Sequence, residues 1–115
     1  MTDALQSNAA LNALTESIAL EVVPTDQVEA GAPSAGAREL VQFGETEIGI
    51  WEHTPGASTD IEVDEVFVVL SGRATVEFVE SGETLRLEPG VVGRLAAGTA
   101  TRWTVTETLR KIYLD

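Results

Sequence analysis

The chain has 115 residues and carries 19 acidic against 7 basic side chains, a net charge of −12; that is the length of one domain with one core, and the charge has the wrong sign to seek phosphate backbones or anionic lipid heads. With no cysteine it has no disulfide framework, no zinc–thiolate site and no cysteine nucleophile. The opening "MTDALQSNAALNALTESIAL" has neither a basic leader nor a long apolar run, so the expectation is a cytoplasmic protein with neither membrane nor nucleic acid among its partners.

Leu11, Leu14 and Ile18 recur at three and four residues, which predicts a short helix over residues 7–20, with Ser7 or Asn8 able to cap it. Residues 1–21 are therefore read as a helical extension, and residues 22–115 as the domain proper. The stretch "VVPTDQVEAGAPSAGAREL" gathers Pro24, Gly31, Pro33, Ser34 and Gly36 and reads as irregular surface chain. From Glu39 on, short runs follow one another: "ELVQF", "EIGIWEH", "EVFVVL", "ATVEFV", "TLRLE", "VVGRLA", "TRWTVTE" and "LRKIYLD". Turn signals such as "ESGE" and "EPG" separate them, which predicts an all-β sandwich or barrel. Alternation sets Trp103 and Val105 on one face and Arg102, Thr104 and Thr106 on the other. In "EVFVVLSG", Glu65, Phe67 and Val69 share one face, and Val66, Val68 and Leu70 share the opposite one, which then needs a cover such as a twofold partner.

Chemistry is sparse. His53 is the only histidine, which rules out a site built on two imidazoles of one chain. A Ser-His-Asp triad would have to use it, yet it lies in "WEHTPG", where Pro55 marks a strand end, and it reads as a surface histidine. The acidic stretch "DIEVDE", residues 60–65, reads as a solvated turn with Glu65 as the carboxylate that looks inward. A hard-cation site on Asp60 and Glu65 for magnesium, calcium or manganese is the weaker reading, because Asp60, Glu62 and Asp64 share the other parity.

Taken in order, "GIWEHTPG", Glu65 followed by Gly72, "LEPG", "AAGTATRW" and "LRKIYLD" resemble the cupin superfamily. The likeness is closest to its small single-domain branch, related to the cupin domain of ureidoglycine aminohydrolases. It implies a double-sheet jelly roll closed into a small barrel with an internal cavity, and a homodimer. It also implies a metal held by two histidines and a glutamate of the first motif and one histidine of the second. Those positions fall here on Ser58, Asp60, Glu65 and Thr101, so Glu65 alone survives among the ligands. Where the second motif opens with Gly-Asp this chain has Gly90-Val91, and where a proline precedes its glycine turn this chain has Ala96.

A carboxylate inside an apolar barrel calls for a partner, and Arg73, Arg94 and Arg102 are the cations considered for Glu65. The expected pocket is Glu65, Trp51, Phe67, Arg94, Thr101, Trp103 and Tyr113. The expected protein has no cofactor, no metal and no assigned catalytic residue, and it binds a small organic molecule in the barrel. The alternatives are a metal-dependent enzyme of the ureidoglycine-aminohydrolase or isomerase kind, and a structural dimerisation module.

Overall fold

Two long strands organise the molecule, because both bend in the middle and each serves two halves of one sheet. The computed structural model describes residues 3–115. The strands are β1 (Glu21–Val22), β2 (Val28–Ala30), β3 (Ser34–Phe43), β4 (Thr46–His53), β5 (Gly56–Ile61), β6 (Glu65–Phe78), β7 (Thr84–Leu87), β8 (Val92–Leu95) and β9 (Ala100–Leu114), with a 3₁₀ turn at Thr25–Gln27. β6 and β9 pair antiparallel from Val66↔Leu114 to Phe78↔Thr101, and their register slips repeatedly between Val69 and Ala74. Gly72 sits at that slip with φ +92°, and a Cβ there would fall on the Thr108 carbonyl oxygen. Only glycine lets the two backbones cross so closely while the chain takes a left-handed turn.

The bend divides the sheet. On one side of it β9 pairs with β4, from His53↔Leu109 to Ile48↔Leu114, and β6 pairs with β8. On the other side β9 pairs with β5, from Gly56↔Val105 to Ile61↔Ala100, and β6 pairs with β7. With β3 and β1 beyond β4, and β2 beyond β5, the sheet folds into two packed faces. This is an all-β, double-sheet jelly-roll barrel.

Several boundaries differ from the sequence reading. "EVFVVL" and "ATVEFV" are one strand, as are "TRWTVTE" and "LRKIYLD": a Ser-Gly pair ends a strand when the chain reverses but bends it when both edges stay paired. Residues 56–61, of which 60 and 61 are read as part of the acidic turn, form β5, and the stretch read as irregular supplies β1, β2 and the first half of β3. The alternation held. Phe67, Val69, Ala74, Val76, Trp103, Val105 and Leu109 form one buried cluster with Leu87 and Leu95, and each large apolar side chain so enclosed contributes about 1.5–3 kcal/mol. On the opposite face of β6, Val66 is 39% exposed, while Val68 and Leu70 are half-buried.

The predicted helix over 7–20 is absent: the described residues before β1 form turns and extended chain. Asn8 has φ +58°, and the Asn12 side chain accepts the Leu14 amide at 2.9 Å, a local bond that competes with a helical one. The carbonyls of Ala13 and Glu16, which a helix would use internally, accept from the Arg110 guanidinium at 2.8 and 2.7 Å. Arg110 is 9% exposed and also pairs with Glu52 at 2.9 Å. The segment is thus laid as a strap across the outer face of β4 and β9, and a buried guanidinium outcompetes a short, weakly nucleated helix for its backbone acceptors.

Candidate functional site

Cross-strand rows carry the inward side chains to one end of the barrel. Trp51, Lys111 and Val69 form one row across β4, β9 and β6, and Tyr113 and Phe67 form the next. From the other half come Ser58 beside Trp103, and Asp60 beside Thr101. Where the halves face each other the Trp51 and Trp103 rings stand 5.4 Å apart, and those of Phe67 and Trp103 stand 6.0 Å apart. Above them lies a cavity of about 360 Å³, into which Trp51, His53, Ser58, Asp60, Glu62, Glu65, Trp103, Lys111 and Tyr113 project.

The floor is an ion pair. Lys111 is 4% exposed, and its Nζ donates to Glu65 Oε2 at 2.5 Å. The same ammonium lies 4.7–4.8 Å from the ring centroids of Trp51, Phe67 and Trp103, so three π faces and one carboxylate enclose a single cation. Burial pushes the Glu65 carboxyl above its ordinary range, and the Lys111 charge pulls it partly back. Glu65 therefore has the inward direction and the cationic partner the sequence called for, but the partner is Lys111. Of the arginines considered, Arg73 pairs with Glu88 and Glu107, Arg102 pairs with Glu29 and Glu77, and Arg94 is exposed.

The acidic stretch is a turn, Glu62–Asp64, between β5 and β6, and it does more than meet solvent. Glu62 accepts from Trp103 Nε1 at 2.9 Å and from the Thr101 hydroxyl, so it reaches into the barrel and fixes the orientation of the Trp103 indole. Asp64 accepts the Ala97 amide at 2.9 Å, tying the turn to the β8–β9 connection. Asp60 lines the cavity, and its carboxyl is raised by desolvation and by the neighbouring Glu62 charge. At the opposite wall the Tyr113 hydroxyl donates to Glu47 at 2.6 Å, and burial with that bond pushes its ionisation upward.

His53 is 1% exposed, so the expectation of a surface histidine is wrong: Pro55 does end the strand, but β4 turns the ring inward before it does. Its Nδ1 lies 2.6 Å from the Thr54 carbonyl oxygen. A carbonyl only accepts, so Nδ1 carries the proton and Nε2 accepts from Ser58 Oγ at 2.9 Å. Burial lowers its pKa below the ordinary 6.5. As pH falls below that value the unfolded chain takes up a proton before the folded one does, so stability decreases. Asp60, shifted upward, has the opposite sign: the folded chain takes up its proton first and gains stability as pH falls toward the carboxylate range. Urea melts of wild type and His53→Gln should therefore diverge progressively between about pH 6.5 and 5, with wild type losing more stability. Parallel curves would show that the imidazole titrates as freely in the fold as outside it.

Of the expected pocket residues, Glu65, Trp51, Trp103 and Tyr113 line the cavity. Phe67 lies beneath it, fully buried, with its ring against Lys111. Thr101 is buried and serves Glu62. Arg94 does not belong: it sits on the exposed face of β8, because its parity there is opposite to that of buried Leu95. The sequence reading missed Lys111, Glu62 and His53. For Lys111 a signal existed. In "TLRKIYL" adjacent cations occupy both parities of one strand, so whichever face looks inward must carry a charge.

A family model described as the EutQ-like cupin domain matches residues 41–113. Among solved structures, a protein of unknown function of the DUF861 family from Pseudomonas syringae pv. tomato superposes with a TM-score of 0.75 at 21% identity, over 87% of this chain and 44% of its own. The chain thus spans less than half the length of that protein. A protein of unknown function from Rhizobium leguminosarum gives 0.63 at 25% identity, over 70% of this chain and 78% of its own. The EutQ protein of Clostridium difficile gives 0.62 at 18% identity, over 82% of this chain and 78% of its own. A search among curated proteins gives no significant match. The family match runs from β3 to β9 and takes in both the bent strands and most of the cavity lining, and on that ground the chain belongs to the EutQ-like cupin domain family of the cupin superfamily.

Proposed function

We propose that this chain binds one small organic molecule in its cavity without a metal, with the Lys111–Glu65 pair as the polar floor and Trp51 and Trp103 as walls. The observation that carries the reading is the convergence of these groups on about 360 Å³, a volume within the range of small-molecule sites. Glu47, Asp60, Glu62 and Asp115 also line it, so a neutral polar or cationic molecule is favoured over a polyanion.

The metal that cupin resemblance implies does not fit these residues. Glu65 already holds an ammonium at 2.5 Å, the Ser58 hydroxyl is engaged with His53, and the Thr101 hydroxyl is engaged with Glu62. A divalent cation at this point would meet a fixed positive charge. Among the described residues no three His, Asp or Glu side chains are grouped to hold a metal ion.

The test is a thermal-shift screen of small polar compounds on gently purified protein, alongside elemental analysis. The expected result is well under one transition metal per chain, and a saturable stabilisation by a neutral or cationic compound that weakens about tenfold in Asp60→Asn. Asp60 is exposed at the rim, so that variant should fold. Stoichiometric manganese, zinc, iron or nickel, lost on Glu65→Ala, would overturn the reading, as would a hit indifferent to the cavity residues.

A further inference from the structure

Lys111 is the chain's only lysine, beside six arginines and one histidine. It is 4% exposed and projects into the cavity. Its neighbour on β9 shows what this fold does with a purely structural buried cation. The Arg110 guanidinium is tied to Glu52, to the Ala13 carbonyl and to the Glu16 carbonyl. Lys111, by contrast, meets a single oxygen acceptor among the described residues, Glu65 Oε2, and its remaining N–H bonds face aromatic rings and the cavity. Arginine makes the better structural ion pair, since its planar fork satisfies more acceptors, but a guanidinium does not form an imine with a simple aldehyde or ketone and a primary amine does.

We propose that Lys111 captures small aldehydes or ketones as an imine on the cavity floor, with Glu65 moving the protons; this deepens the reading of the cavity as a small-molecule site and rests on it. Glu65 accepts a proton from the ammonium, and the freed nitrogen lone pair adds to the carbonyl carbon. The C=O π pair moves to oxygen, which takes the proton the nitrogen then sheds, giving a carbinolamine. Glu65 returns its proton to the hydroxyl, which leaves as water while the nitrogen lone pair forms the C=N bond. The ammonium and one carbonyl compound thus become a protonated imine and one water, with no oxidant or reductant. The three rings that enclose the ammonium serve the iminium as well, since it too is a cation facing π electrons. The carboxylates at the rim favour neutral carbonyl compounds over carboxylated ones.

The chain has two primary amines, Lys111 Nζ and the N-terminus, so the test maps cleanly. The full chain is treated with glyceraldehyde, and separately with glyoxylate, in the presence of cyanoborohydride, both folded and unfolded in urea, and adducts are located by peptide mass mapping. The expected result is a Lys111 adduct with glyceraldehyde, beside one at the N-terminus, and the Lys111 adduct forms roughly tenfold faster in the folded protein than in urea. It should form more slowly with glyoxylate and should slow in Glu65→Gln. Lys111→Met should leave the N-terminal adduct alone. A Lys111 that reacts no faster folded than unfolded, or is protected by the fold while the N-terminus is labelled, overturns the proposal. If compounds lacking a carbonyl still stabilise the protein in the thermal-shift screen, only the capture step falls; if none does, the cavity reading falls with it.

Discussion

Glu65→Ala is expected to cost about 3–5 kcal/mol of stability, because it strands the Lys111 ammonium in an aromatic enclosure with no oxygen acceptor. The penalty belongs to the orphaned charge rather than to the pair, and a second substitution makes that visible. Lys111→Met removes the charge while keeping a long apolar stem, so the double variant Glu65→Ala/Lys111→Met should recover most of the loss, leaving roughly 1–2 kcal/mol for the space vacated at residue 65. Glu65→Gln should lie between, since the amide oxygen still accepts from Lys111 but no longer neutralises it. Urea unfolding of the four variants closes the cycle. A Glu65→Ala variant within about 0.5 kcal/mol of wild type would mean that Lys111 escapes to water, contrary to its 4% exposure.

Gly72→Ala is the second large effect, and it tests the bend rather than the site. Gly72 and Gly82 both have positive φ, +92° and +77°, but a Cβ at Gly82 has nothing within 4 Å among the described residues, whereas one at Gly72 runs into the Thr108 carbonyl and Leu109 Cα. Gly82→Ala should therefore show the conformational cost alone, about 1–2 kcal/mol. Gly72→Ala should cost about 2 kcal/mol more, because β6 and β9 must move apart where they hand over from one half of the sheet to the other. Since Lys111 and Glu65 lie on one side of that bend and Trp103 on the other, Gly72→Ala should also weaken any cavity ligand found, while Gly82→Ala should not. Equal losses in the two variants would show that the crossing is looser than its backbone contacts imply.

The sequence carried the strands and their faces because period-2 alternation is a local property. Glu65, Phe67 and Val69 point inward as their spacing requires, and Trp103 and Val105 do likewise. It also carried the family likeness and the conclusion that Glu65 needs a cation. The sequence reading names Arg73, Arg94 and Arg102 for that role, whereas in "LRKIYL" parity forces Arg110 or Lys111 inward. The burial of His53 is not legible there, because a nearby proline says where a strand ends and nothing about which way its last side chain points.

What the chain by itself determined is the inventory and the alternation: one lysine, one histidine, no cysteine, a strongly acidic charge, and β-runs whose inner faces could be named. The tertiary structure alone decided the partnerships. Glu65 and Lys111 are 46 residues apart, and Glu62 and Trp103 are 41 apart; such pairs meet only through strand register, which the slip at Gly72 sets. The fate of the N-terminal segment was decided in the same way. Leu11, Leu14 and Ile18 have helical spacing, yet a buried Arg110 on a strand 94 residues downstream of Glu16 takes the carbonyls a helix would need. Local periodicity describes what a segment prefers alone; a buried charge seeking acceptors is a demand made by the rest of the fold.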